Sequence, residues 1–194
     1  MKALLGVVVV LLIVVAACGL YFVSIRNQMV TKNETVKSDW AQVDVVLQRR
    51  ADLIPNLVET VKGVAAQEVT VFTDIANARA KYLSSQTPSD KIAASNELYG
   101  MELKVLALQE NYPQLKSNES FLRLQDELAG TENRIAVERK RYDDAIQDYN
   151  TYVGLFPQSL VAGMSGFKRN DAYFAAPQAA REVPKVQFPA PVTH

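Results

Sequence analysis

This chain of 194 residues has one cysteine, one histidine, one tryptophan and no surplus of charge of either sign. Each scarcity excludes something. Cys18 has no partner, so no intramolecular disulfide can form. The single histidine is His194, the last residue of the sequence, so a Ser-His-Asp or Cys-His arrangement has no internal base. The Glu-x-x-His pairs that hold metals inside four-helix bundles cannot be assembled either. Lys plus Arg and Asp plus Glu both number 21, so no net field draws the chain to nucleic acid. Glycine-rich phosphate loops are missing, and Gly163-Met164-Ser165-Gly166 lacks the spacing of a nucleophile elbow. No period-two alternation is bounded by hairpin turns, which argues against strands. An all-carboxylate metal site using Glu59, Glu68, Glu132 or Glu138 is the one metal reading left. It competes with solvated helix faces and with acids paired to Arg49, Arg50, Arg134 and Arg141. The composition assigns no cofactor, no metal and no catalytic residue.

What the chain does have is one long uncharged run, Ala3 to Ile25, 23 residues of mostly Val, Leu, Ile and Ala. A helix of that length spans about 35 Å, enough to cross a hydrocarbon core of about 30 Å. Three readings compete: a retained transmembrane anchor, a secretory signal with Lys2 as its n-region, and a lipoprotein signal. The run is longer than a signal core of about 7–15 residues. Val15-Ala16-Ala17-Cys18 fits a loose lipobox, which makes Cys18 the candidate acylation site. Against it, Leu20-Tyr21-Phe22-Val23 continues the apolar run beyond the cysteine, where a polar tether is the usual continuation. All three readings bring the chain to a membrane, and the expected location is the cell (inner) membrane with a single pass. Arg26, Lys32 and Lys37 weakly favour a cytoplasmic side for the body of the chain, whereas the lipobox favours the opposite side.

The body reads as helices. The first covers about Val30 to Ala51, with Val36, Trp40, Val43 and Leu47 spaced four, three and four apart, and nothing between Leu20 and Leu53 breaks it from the apolar run. A second is expected to start with Asp52 as cap and Pro55 in its first turn, and to run through Leu57, Val61, Val64, Phe72 and Ile75 to Leu83. The third opens at Ser89-Asp90 and carries Ala94, Leu98, Met101, Val105, Leu108 and Tyr112 up to Pro113. The fourth is the strongest: Phe121, Leu124, Leu128, Thr131, Ile135, Glu138, Tyr142, Ala145, Tyr149 and Tyr152 recur at three and four without slipping, with Ser120 as the candidate cap. Tyr142, Tyr149 and Tyr152 with Phe156 form an aromatic stripe that reads as core. From Pro157 the character changes, since five of the eight prolines fall there. Leu160, Val161, Met164, Phe167, Tyr173 and Phe174 are expected to pack irregularly on the bundle, with a flexible tail after Ala176. The fold class is therefore all-α: an N-terminal transmembrane helix followed by an elongated antiparallel (up-down) helical bundle. The organisation is an anchor (or lipoprotein signal) over 1–25, the bundle over 26–176 and a Pro-rich tail over 177–194.

Leu47-Gln48-Arg49-Arg50, the block from Asp52 to Gly63 (DLIPNLVETVKG), and Thr131-Glu132-Asn133-Arg134-Ile135 resemble the signature blocks of the LemA family. Tyr112-Pro113-Gln114-Leu115-Lys116, Tyr149-Asn150 and Gly166-Phe167 are also similar to its pattern, and the agreement covers about Val30 to Phe174. The resemblance implies a bacterial, membrane-associated protein with an N-terminal span and a long antiparallel helical bundle. It implies a short N-terminus outside the cell and carries no biochemical activity with it.

Within those blocks Arg49, Arg50, Asp52, Glu132, Asn133 and Arg134 form a candidate polar cluster. Its functional reading is a partner or ligand site at one end of the bundle. Its structural reading is a charge network that sets register where Thr131 and Glu138 interrupt the apolar seam. The expected function is contact: a scaffold or protein-interaction module of the cell envelope whose partners are the lipid bilayer and an unidentified protein. The competing expectation is a regulator or receptor whose helix packing responds to a ligand or partner. Whether the seam of the fourth helix is filled within one chain or between chains is open at this level, as is the oligomeric state.

Overall fold

A computed structural model describes residues 2–174. The expected tail over 177–194, with His194, lies outside them. Among the described residues there are five α-helices, two short 3₁₀ turns and no strand. α1 is a single helix of 61 residues, Lys2–Lys62, about 90 Å long at the usual rise. It is followed by α2 (Val69–Ser84), α3 (Pro88–Ala107), α4 (Glu119–Gly154) and α5 (Gln158–Ser165), with the 3₁₀ turns Leu108–Glu110 and Pro113–Ser117 between α3 and α4.

The apolar run and the first body helix are thus one element. From Lys2 to Val23 no side chain is buried; burial begins at Ile25 and Met29. From there α1 carries a seven-residue repeat, Met29, Val36, Val43, Arg50 and Leu57, each buried, with Trp40, Leu47, Ile54 and Val61 four residues after successive members. α4 carries the matching repeat of Phe121, Leu128, Ile135, Tyr142 and Tyr149. The two zip together antiparallel, and each step along α1 is a step back along α4. Lys32 meets Asp148, Trp40 packs against Tyr142 with the rings tilted, and Arg50 meets Glu132. Sustained seven-residue spacing is what keeps an apolar stripe facing a partner helix over such a length.

The expected helix boundary at Asp52–Pro55 does not exist: Pro55 lies inside α1, which ends at Lys62. An interior proline leaves the carbonyl four residues back without its N–H donor. Here that carbonyl belongs to Ala51, and Arg79 Nε of α2 donates to it at 2.8 Å. A long-range arginine has replaced the local bond that sequence reasoning assumes is lost.

α2 and α3 form an antiparallel hairpin laid on the distal half of α1, from about Asp44 to Lys62. Lys91 of α3 and Tyr82 of α2 both reach Asp44, at 2.6 and 3.4 Å. Thr87 caps α3 by accepting from Asp90 N, and α3 stops at Ala107, short of the expected Tyr112, in a 3₁₀ turn. Asn118, not Ser120, caps α4 through Phe121 N. At the far tip Tyr112 donates to Glu68 Oε1 at 2.7 Å and accepts from Gln67 Nε2, tying the α1–α2 turn to the α3–α4 connection.

Among the described residues the proximal half is built from α1, α4, α5 and residues 166–174. Asn150 Nδ2 donates to Asn170 O and its Oδ1 accepts from Asn170 N, while Tyr149 donates to Lys168 O. Phe174 closes an aromatic cluster with Trp40 and Tyr142, and its N–H donates to Asp143. Burial holds the Tyr142 phenol neutral, its pKa pushed up to about 12. The region after Pro157 is more regular than expected, because residues 158–165 are helical. Gly166 ends α5 at φ 77°, a left-handed value that glycine adopts without strain. The aromatic stripe is core only in part: Tyr142 and Tyr149 are buried, whereas Phe156 is 79% exposed.

Truncating Leu47, which is buried in the seam, should cost about 2–5 kcal/mol as Leu47→Ala. Val45→Ala, two residues away on the exposed face, should stay within about 0.5 kcal/mol. Denaturant unfolding of the full chain in detergent checks both.

Candidate functional site

The polar cluster read from the sequence separates into three places. Its centre is Arg50, which occupies a seam position on α1 and is only 2% exposed. The heptad that places Val43 and Leu57 in the core places Arg50 there too, and the chain answers with acids from two other helices. Arg50 Nε lies 3.3 Å from Glu102 Oε2 of α3, itself 3% exposed, and Nη2 pairs with Glu132 of α4. Tyr99 of α3 offers its ring face to the guanidinium, 4.6 Å from the ring centroid. One side chain thereby holds α1, α3 and α4 together.

The ions are in tension with their surroundings. Burial pushes the Arg50 pKa down and the Glu102 pKa up; in each case desolvation outweighs the attraction between them. Arg139, two turns further along α4 and itself desolvated, lowers the Arg50 pKa further. The guanidinium remains charged at any physiological pH. Arg50 Nε and Nη2, Glu102 Oε2 and Glu132 Oε2 are buried atoms without a well-aligned hydrogen bond. The pairing is therefore coulombic rather than a bidentate fork.

Glu132 is 35% exposed through a groove of about 310 Å³ between α3 and α4. Tyr99, Glu102, Leu103, Leu106, Leu128 and Asn133 are among the residues that line it. Asn133, predicted with the cluster, therefore belongs to the groove wall. Arg49 and Arg134 lie elsewhere, lining an open concavity with Arg123, Asp126 and Glu127 across the α1–α4 seam. Asp52 accepts from Gln48 and sits 3.9 Å from Arg79 on an exposed flank. So the structure brings Arg50 to Glu132 and Arg49 to Arg134, and leaves Asp52 with α2.

Glu102 is the residue that sequence reasoning missed. It follows Leu98 by four and precedes Val105 by three, so the periodicity that marks those two as buried also marks Glu102. An acid at such a position signals a buried cation across the bundle. The carboxylates considered for a metal, Glu59, Glu68, Glu132 and Glu138, are spread along the rod: Glu59 pairs with Lys62, Glu68 with Tyr112, Glu132 with Arg50 and Glu138 with Arg141. Cys18 is exposed on α1, within the apolar run.

Arg50→Met should cost about 3–5 kcal/mol because it strands Glu102, and adding Glu102→Leu should restore most of that loss. A double-mutant cycle by denaturant unfolding reads the coupling. Glu102 has a folded-state pKa above its ordinary 4.5, so it binds its proton more tightly in the folded state. The stability it contributes is present below pH 4.5 and is lost as pH rises through the elevated value. Glu102→Gln should flatten that part of the stability–pH curve, as thermal unfolding at stepped pH would show.

Comparison with known proteins agrees with this architecture. The pattern of the LemA family matches residues 39–188, more than half of the chain. The chain is 24% identical over 177 residues to magnetosome protein MamQ 2 of Paramagnetospirillum magneticum, and equally to MamQ 1 of the same strain. Those alignments cover 78% of this chain and 65% of each relative, so the chain spans just under two thirds of their length. It is 23% identical to magnetosome protein MamQ of Magnetospirillum gryphiswaldense, over 87% of this chain and 72% of that protein. α1 is the one helix among the described residues long and apolar enough to cross a membrane. The match includes the end of α1 that carries Arg50, together with Glu102 and Glu132. On that span of sequence this chain belongs to the LemA family.

Proposed function

We propose that this protein is a single-pass inner-membrane scaffold of the bacterial envelope, which holds a helical-bundle surface away from the bilayer for a protein partner, without turnover. The observation that carries this reading is the continuity of α1. The helix that contains the apolar run is also the helix whose heptads form the bundle seam. Anchor and recognition domain are then one stiff element, and from Ile25 to Lys62 it extends about 55 Å. In this reading Cys18 stays inside a retained span, unacylated.

The surface best suited to a partner is the α3–α4 groove. It combines exposed Leu103, the half-buried Tyr99 and Leu106, and the acid Glu132, an apolar floor with a charged rim. The relatives are named as magnetosome proteins, and a shared scaffold role on a membrane surface is compatible with that name. A second reading, a receptor or regulator, draws on the strained ion cluster beside the same groove. A cationic side chain from a partner that competed with Arg50 for Glu132 would loosen the bond between α1 and α4.

A photo-crosslinking residue at Leu103 should give a discrete, reproducible adduct in intact cells, and one at Val137, exposed on another face of α4, should not. Ala129→Trp, which fills the groove, should abolish the adduct. Identical smears from both positions, or no adduct from either, would count against the scaffold reading.

A further inference from the structure

The membrane-proximal end of the bundle carries a second stretch without charge. From Tyr149 to Phe167 there are 19 residues with no Asp, Glu, Lys or Arg. α5 lies in this stretch and uses only one side of itself for packing. Val161 and Ala162 are buried against the bundle. Phe156, Leu160 and Met164, each four residues after the last, are 79, 59 and 79% exposed, and Leu155 beside them is 53% exposed. Leu160 and Met164, four apart on α5, share one face of that helix, and Phe156 and Leu155 lie in the turn that leads into it. An apolar ridge left open to water by an otherwise well-buried bundle marks an interaction surface.

Its position says what covers it. The α1–α4 register set by Lys32–Asp148, Trp40–Tyr142 and Arg50–Glu132 puts Gly154, the last residue of α4, level with Arg26 to Gln28, just past the end of the apolar run, and Phe156 follows in the turn to α5. α5 itself packs on both α1 and α4. Phe22, still inside the uncharged run, is half-buried against the bundle, and Ile25 is fully buried. The bundle therefore reaches the last turn of the run, leaving Ala3 to Tyr21 for the bilayer, about 29 Å of helix, which matches a hydrocarbon core. Around this level Arg26, Lys168 and Arg169 are exposed and form no ion pair among the described residues, whereas Lys32 is held by Asp148. Asp171 is the nearby exposed acid. An apolar ridge flanked by free cations is the composition of an element that lies in a lipid interface.

We propose that α5 and the turn before it form a second contact with the bilayer that α1 crosses. Phe156, Leu160 and Met164 sit below the headgroups, and Arg26, Lys168 and Arg169 sit among the phosphates. This inference rests on the anchored reading of α1. One helix crossing a membrane is free to tilt and to spin about its axis; a second contact at its exit, off that axis, fixes both. The distal grooves are then presented in a set direction.

The test uses the full chain with Cys18→Ser, reconstituted in phosphatidylcholine–phosphatidylglycerol vesicles. An environment-sensitive fluorophore is placed at Met164→Cys, with Val14→Cys in the span and Leu122→Cys near the far tip as references. Spin-labelled lipids carrying the quencher near the headgroup or near the chain end are then added. The expected result is quenching at 164 several-fold above that at 122, stronger with the shallow quencher, while 14 responds most to the deep one. Quenching at 164 no greater than at 122, with 14 still quenched, would overturn the second contact and leave the anchor standing. Loss of quenching at 14 as well would overturn the anchored reading and this inference with it. Shielding at 164 that depends on the protein-to-lipid ratio, without lipid quenching, would assign the ridge to a second copy of the chain and overturn the bilayer as its occupant.

Discussion

The antiparallel seam between α1 and α4 is the constraint on which the rest of the structure depends. Each helix alone is a long amphipathic rod with an apolar stripe that water disfavours, and each stripe repeats every seven residues, so the two can stay in contact over the full length of α4. The α2–α3 hairpin has no other floor: it packs on the distal part of α1, anchored at Asp44 and at the Ala51 carbonyl. Residues 166–174 lean on the same seam, since Asn150, Tyr149 and Asp143 of α4 hold them in place. Because α1 also contains the apolar run, a tilt imposed at the membrane is transmitted along the rod without a hinge.

Arg50 is the single charged residue buried within that seam among the described residues, and its cost explains its arrangement. A guanidinium taken out of water needs acids close by, and a buried ion pair adds little net stability beyond an apolar alternative. What it adds is discrimination. A slip of α4 by a heptad would set Gln125 or Arg139 opposite Arg50 in place of Glu132, and any other docking of α3 would remove Glu102. A polar residue at one seam position is a known means of fixing register in paired helices. The same node explains why a groove opens beside it, since α3 touches α4 mainly through this charge cluster and is not zipped to it by a repeat.

Much of the fold was legible in the residues. α4 was readable nearly to its ends because its repeat never slips, and the apolar run announced itself by length. Thr131 reads as a polar intrusion in the seam, and it is buried. Elsewhere local rules misled. Pro55 reads as a helix start because a proline forfeits a local hydrogen bond; the Ala51 carbonyl accepts instead from Arg79, 28 residues beyond Ala51 in sequence. α5 reads as irregular because the proline-rich part of the chain begins at Pro157, although two of its residues are buried on the bundle. Of the candidate polar cluster, Arg50 and Glu132 meet, whereas Arg49, Asp52 and Arg134 lie apart from them, because neighbours in sequence on a helix point 100° apart.

By itself the sequence determined the class of structure, the existence of a span-length helix and the pairing stripes of α1 and α4, because periodic burial is a local property written into residue spacing. It also limited the chemistry, since a histidine or thiol that is missing from the body cannot be supplied by folding. Tertiary structure alone decided which polar residues share a site, since that depends on three helices meeting at one level. Only there does Glu102 acquire a partner, only there is Pro55 tolerated, and only there does the ridge of Phe156, Leu160 and Met164 come close to the end of the apolar run. Each of these depends on the distance between residues remote in sequence, a quantity fixed by how the helices dock rather than by what any one of them contains.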